Sequence, residues 1–218
     1  MKLDFEDYTA AITAILNSDV GNFILKHIAD IKMGGYYAYE TQYLNRLPVR
    51  IDDEKSEEIE TKVEKIQEVF TQKKLVDNFS RYVSENFNGE QSVKVLKCNS
   101  RHPDMEPSIQ TTQDGMFEVE VGKRKTDSIL LDTKEKARFV KKALEGDSAS
   151  KGDEIEILVP RSNSDVKEIL QEYEDDKEKL EEMPSVEELE EDINELVYDL
   201  YDLDEEEIEV IEDFLEKF

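Results

Sequence analysis

Between residues 165 and 218 acidic residues outnumber basic ones 25 to 4, a net charge of −21. Such a stretch can bury apolar surface only if its apolar residues line one face of a helix and leave the carboxylates in water. The spacing fits that requirement. Val166, Ile169, Leu170 and Tyr173 share one side of a charged segment that ends at Pro184. Ser185 and Glu188 then form a capping-box pattern ahead of Val186, Leu189, Ile193, Leu196, Val197 and Leu200. Asp204 and Glu207 repeat it ahead of Ile208, Ile211 and Leu215. The expectation is an acidic helical tail over 161–218, with Leu196, Val197, Leu200 and Ile208 turned to a core.

The whole chain of 218 residues carries −27, so residues 1–164 hold only −6, from 30 acids and 24 bases. A halophilic host would spread its acids over the whole surface, so salt adaptation is not the simplest reading of this asymmetry. An acidic tail repels DNA phosphates, and any DNA contact has to come from the earlier part. There, residues 123–142 hold eight bases against Asp127, Asp132 and Glu135, and Lys32, Arg46 and Arg50 flank an aromatic segment.

The pattern before the tail is mixed. Residues 5–17 read as a helix with Tyr8, Ile12, Ile15 and Leu16 on one side. Asn17, Ser18 and Asp19 interrupt it with capping chemistry, and Val20, Phe23, Ile24, Ile28 and Ile31 mark a second helix. Helices joined this tightly form a hairpin. Gly34 and Gly35 allow positive φ and close backbone approach. Tyr36, Tyr37, Tyr39 and Tyr43 follow with high strand propensity, and Leu47, Pro48 and Val49 close the unit. From 52 to 87 the spacing is helical, with Ile59, Val63, Ile66 and Phe70 recurring, then Leu75, Phe79, Tyr82 and Val83. Strands are expected at 93–98, 116–121, 129–131 and 155–159, a loop at 99–115, and a helix at 133–144 with Ala137, Val140 and Leu144 inside. The fold class is therefore α+β and mostly helical: an N-terminal helical hairpin with an aromatic strand, a long helix, a small α/β unit and the acidic tail. The divisions fall at 1–50, 51–90, 91–160 and 161–218.

Hydrophobic and charged residues each make up 38% of the chain, which allows a thin core. No run approaches the roughly 18 apolar residues that cross a bilayer. The first residues carry acids where a secretory signal has a basic and then an apolar stretch. With the single Cys98, these features lead us to expect a soluble, cytoplasmic protein without a membrane partner.

Catalytic chemistry is scarce. No Gly-rich loop has dinucleotide or P-loop spacing. His27, Cys98 and His102 have no recognised metal-ligand spacing, and His27 is expected as a partly buried helical residue. One nuclease-like arrangement, Pro103-Asp104 ahead of Asp132-Thr133-Lys134, pairs acids with a lysine around a strand. In a chain with 55 acids that spacing arises readily by chance, and a loop aspartate plus a helix N-cap at Asp132 explains it as well.

Two separated stretches carry a resemblance. The first runs from Ile15-Leu16-Asn17-Ser18 through Gly34-Gly35-Tyr36-Tyr37-Ala38-Tyr39 to Leu47-Pro48-Val49. The second is Leu196-Val197-Tyr198-Asp199-Leu200-Tyr201-Asp202-Leu203-Asp204-Glu205-Glu206 within residues 193–212. Together they resemble the target-recognition region and C-terminal signature of type II, especially type IIG, restriction-modification adenine-specific DNA methyltransferases. That family commonly ends in a Leu-Val-Tyr-x-Leu-Tyr-Gly-Leu-Thr stretch, so Asp202 stands where the family has Gly and Asp204 where it has Thr. Neither the family's S-adenosylmethionine-binding Gly-rich motif nor its Asn/Asp-Pro-Pro-Tyr motif occurs here, and no catalytic residue carries over.

The resemblance implies that residues 1–50 form the end of a target-recognition-like domain. It implies a non-catalytic DNA-recognition and scaffold segment, either a truncated gene product or a separately encoded subunit. Such a segment contacts double-stranded DNA and works with a methyltransferase or restriction catalytic domain, which holds any S-adenosylmethionine. The candidate DNA-contacting residues are Lys32, Gly34, Gly35, Tyr36, Tyr37, Tyr39, Arg46, Arg50, Lys123, Arg124 and Lys125. The competing readings are an acidic helical adaptor or DNA mimic, favoured by the tail, and a small metal-dependent nuclease.

Overall fold

In the computed structural model the described residues are 8–32, 37, 40–122 and 127–217. They form a mostly helical α+β protein. The chain divides into two compact units, Met1–Thr71 together with Met183–Phe218, and Gln72–Glu182. None of the described helices is long and apolar enough to cross a membrane.

The first unit is helical. Helices α1 (Thr9–Asn17) and α2 (Asp19–Ile28) meet at Ser18, whose extended backbone ends the first. The Ser18 hydroxyl accepts from the Gly21 amide and so caps the second. Gly21 is needed there, because a Cβ at this position would lie 2.3 Å from the Ile15 carbonyl oxygen. The expected hairpin is present. Most of the expected aromatic strand lies outside the described residues; Tyr37 forms an isolated bridge with Ile31, and Tyr43 lies instead on the short helix α3 (Thr41–Leu44), buried and donating to Asp30. Gly34, Gly35, Tyr36 and Tyr39 lie outside the described residues.

Helix α4 (Asp53–Val76) follows, and the chain returns to this unit with α8 (Val186–Leu200) and α9 (Glu205–Leu215). Both expected capping boxes form, Ser185 with Glu188 and Asp204 with Glu207. Ala11, Ile15, Val20, Ile59, Ile193, Val197, Leu200 and Ile211 make one buried cluster, with Leu196 and Ile208 packed against it. The periodicity fails at Phe70, which is 55% exposed, while its neighbour Val69 is buried.

Helix α8 ends in a left-handed turn. Asp202 has φ of 55°, the Asp202 amide donates to the Asp199 carbonyl, and the Leu203 amide donates to the Tyr198 carbonyl. This is the Schellman pattern, in which the residue beyond the cap takes the conformation glycine adopts most cheaply. Leu203 packs back on the cluster, as that motif favours.

The second unit begins at the end of α4 and adds α5 (Phe79–Asn86), β1 (Gln91–Lys97), β2 (Ser108–Thr111), β3 (Phe117–Val121), β4 (Asp127–Leu131), α6 (Lys134–Leu144), β5 (Glu154–Pro160) and α7 (Asn163–Glu182). β1 and β5 pair antiparallel from Gln91↔Pro160 to Lys97↔Glu154. β2, β3 and β4 form an antiparallel meander. Alternation sorts their side chains. Leu96, Val119, Val121, Ile129, Leu131, Ile157 and Val159 turn inward and are buried with Phe79, Phe139, Val140, Leu144, Val166 and Tyr173 from the helices. Phe79 meets Phe139 and Tyr173 edge-on, with ring centres 5.0 and 4.9 Å away.

The expected loop at 99–115 contains β2, which the sequence pattern does not reveal. Helix α6 is capped by Thr133, whose hydroxyl accepts from the Lys136 amide, so the cap expected at Asp132 sits one residue later. Asp132 instead pairs with Lys136 at 3.0 Å.

Candidate functional site

In the first unit the two ends of the chain are tied at named points. The Tyr201 hydroxyl donates to the Pro48 carbonyl at 2.6 Å. The Arg50 guanidinium donates to Asp202 at 2.7 Å and to the Leu200 carbonyl, and lies over the Tyr201 ring, 5.5 Å from its centre. Lys55 reaches Asp199 at 2.6 Å, and Lys62 pairs with Asp192. Asp19, at the start of α2, accepts from Asn194 and Tyr198 of α8. Burial, first, and the Asp19 charge hold the Tyr198 hydroxyl well above its ordinary range. A cleft of about 340 Å³ lies beside this contact, lined by Thr13, Asn17, Asp19, Ile66, Glu190 and Asn194.

The candidate DNA-contacting residues fall into three groups. Lys32 is ion-paired with Glu40 at 3.2 Å, next to the Ile31–Tyr37 bridge, and its hydrogen bond to that carboxylate raises its pKa. Arg50 is part of the clamp on the tail. Arg46 is exposed in the turn after α3. Lys123, Arg124 and Lys125 lie outside the described residues, between Gly122 and Asp127 of the second unit.

The second unit holds a polar centre that the residue spacing does not announce. The His102 Nε2 lies 2.8 Å from Asp127 Oδ2, and both side chains are buried. Asp127 also accepts from the Asn99 amide at 3.0 Å, the Asn99 side-chain nitrogen at 2.9 Å and the Ser100 amide at 3.2 Å. Burial alone would raise its pKa. The hydrogen bonds from His102, Asn99 and Ser100 outweigh burial and hold the carboxyl below its usual range. Because Asp127 is an acceptor in that state, His102 carries a proton on Nε2.

Two loops are zipped together around this pair. His102 and Ala149 exchange backbone hydrogen bonds of 2.8 and 2.7 Å. Cys98 and Met105 extend the ladder to Gly152 and Asp153 on one side and to Gly146 and Asp147 on the other. Cys98 is buried, and burial pushes its thiol pKa up. Two cavities share Arg101, His102 and Pro103. One, of about 380 Å³, is completed by Asp104, Glu106 and Gly122. The other, of about 350 Å³, is completed by Ser148, Ala149, Ser150 and Asp153.

Strand alternation is the signal for Asp127, because it places residue 127 on the inward face with Ile129 and Leu131. Nothing in the spacing points to His102. His27, expected to be partly buried, is exposed on α2, with its ring 4.3 Å from Phe23 and 4.5 Å from Phe214 by centres. The nuclease-like set is dispersed: Asp132 is taken by Lys136 and Thr133 by the α6 cap. Among the described residues no group of three or more His, Cys, Asp or Glu side chains is arranged to hold a metal ion. No protein-family model, curated protein or solved structure matches the chain.

Proposed function

We propose that the chain is a non-catalytic DNA-recognition and scaffold segment that works with an adenine-specific DNA methyltransferase or restriction catalytic domain. The observation that carries the reading is the pairing of the two resembling stretches. Separated by some 140 positions in sequence, they fold into the same compact unit, joined by Tyr201 to Pro48 and by Arg50 to Asp202 and Leu200. The left-handed backbone at Asp202 adds support, since the family's signature has glycine at that point and glycine takes that conformation without strain.

On this reading the segment contacts phosphates and base edges of double-stranded DNA and positions a catalytic domain supplied by another part or subunit. That domain binds S-adenosylmethionine and extrudes the target adenine. Lys32 and Arg50 organise the unit through their ion pairs. Arg46 is exposed, and the Lys123-Arg124-Lys125 run concentrates positive charge, so these are the candidates proposed to meet DNA. The acidic helices α7 to α9 stay away from phosphate.

The test is duplex-DNA binding by the full chain mixed with its catalytic partner, measured over a series of salt concentrations. Alanine at Lys123, Arg124 and Lys125 should weaken binding and flatten the salt slope by about 0.9 for each phosphate that is no longer neutralised. Arg46→Ala should do the same for a single phosphate. If affinity and slope are unchanged in both variants, the DNA reading fails and an acidic protein-binding adaptor takes its place.

A further inference from the structure

We propose that the Arg101–His102–Ser148–Ser150 cavity of the second unit is a binding site for a phosphate group. The argument starts from His102. Its side chain is only 5% exposed and borders the cavity. Nε2 is committed to Asp127, so Nδ1 is the ring nitrogen that meets a ligand. When the ring carries its second proton, the ionised Asp127 is its counter-charge and Nδ1–H becomes a charge-assisted donor. Arg101 brings a planar fork of donors that matches phosphate oxygens. Ser148 and Ser150 add two neutral hydroxyl donors.

The two cavities flanking His102 differ in charge, and the difference selects the ligand's place. Asp104 and Glu106 line one of them and repel an anion. The other has Asp153 as its single carboxylate, and that carboxylate accepts from the Ser150 amide at 2.7 Å. Among the described residues the charged groups around His102 are Asp127 on Nε2 and Arg101, Asp104, Glu106 and Asp153 along the two cavities. The site is also preorganised. The backbone ladder through Cys98, His102 and Met105 fixes His102 against the 146–153 loop, which lowers the ordering cost of binding.

The inference deepens the DNA reading and rests on it only for the source of the phosphate. The chain's two histidines allow both to be followed in one experiment: NMR of the ring Cε1–H signals in the full chain, with His27 of the first unit as internal reference. Inorganic phosphate and a short DNA duplex are titrated separately, each against sodium chloride at matched ionic strength. The expected result is a saturable shift of His102 with no shift of His27. Arg101→Ala should weaken it by roughly tenfold or more, the loss of a charge-assisted hydrogen bond, and Ser148→Ala by less. Both side chains are exposed, and circular dichroism checks that the variants fold. A response to phosphate but not to DNA supports the site and assigns it to free phosphate or a nucleotide. A response to both places the DNA backbone there. If His102 moves with neither, or equally with chloride, the phosphate site is refuted, while DNA binding measured independently leaves the DNA reading standing.

Discussion

The Tyr201 hydroxyl donates to the Pro48 carbonyl at 2.6 Å, a contact between residues 153 positions apart. It fastens the end of α8 to the segment that closes the N-terminal part of the same unit. Tyr201→Phe removes one hydrogen bond and should cost about 0.5–1.5 kcal/mol. Leu200, the residue before it, is buried, and Leu200→Ala should cost about 2–5 kcal/mol through weaker apolar packing and the cavity left behind. Urea unfolding of both variants checks the pair. An unchanged midpoint for Leu200→Ala would show that the acidic helices do not share the core.

Asp202 makes a second, opposite prediction. Its φ of 55° is strained for a residue with a Cβ, by about 1–2 kcal/mol in the left-handed region. Asp202→Gly relieves that strain. It also removes the ion pair with Arg50, whose side chains are 51% and 85% exposed, and exposed pairs contribute about 0–1 kcal/mol. Asp202→Gly should therefore leave stability unchanged or raise it. Asp202→Val keeps the strain, adds β-branching and loses the pair, so it should lower the melting temperature. A loss of stability in the glycine variant would mean that the Arg50 clamp dominates the turn.

The helices of this protein are legible in the sequence because their signals are local. Ser185 with Glu188 and Asp204 with Glu207 lie three residues apart, and each acts through its own first turn. The strand at 108–111 is not legible, because Ile109 is its one large apolar residue and it pairs with β3 alone. Tyr43 misleads in the other direction. Strand propensity is mostly a measure of packing on a pleated surface, and here Tyr43 finds burial on a helical turn with Asp30 as its partner. The polar centre at His102 depends on contacts 25 residues apart in sequence. Alternation in β4 turns Asp127 inward, but only the folded loops supply the histidine and amides that make its burial tolerable.

Asp127 should make the second unit sensitive to acid. Its folded-state pKa is below the ordinary value, so its contribution is fully present above the unfolded pKa, near 3.9. That contribution is lost as pH falls through that value toward the folded one. Asp127→Asn keeps an acceptor but gives up the charge-assisted bonds, at a cost of about 1.5–3 kcal/mol. Its stability should then decline less steeply than the parent's below about pH 4. Denaturant unfolding between neutral pH and pH 3 reads both effects. Parallel curves for the two proteins would show that folding does not lower the Asp127 pKa.

The two cores differ in how the chain supplies them, and this leads to a prediction about fragments. Every residue of the cluster around Phe139, from Leu75 to Leu180, lies within Gln72–Glu182. That stretch also holds the partners of Asp127 and the aromatic neighbours of Phe79, so it contains all of the buried surface it needs. The other cluster draws on Ala11 to Ile66 from one end of the chain and Ile193 to Leu215 from the other. Neither end alone can bury its apolar face: α8 and α9 without α1, α2 and α4 leave Val197, Leu200 and Ile211 in water. Isolated amphipathic helices of this length are marginal. A fragment of residues 72–182 should therefore fold alone, with cooperative thermal unfolding and dispersed amide signals in NMR. A fragment of residues 183–218 should be largely unstructured, and mixing it with residues 1–71 should restore helix content. If the 72–182 fragment fails to unfold cooperatively while remaining monomeric, its core depends on packing beyond its own sequence, and the division into two self-sufficient cores is wrong.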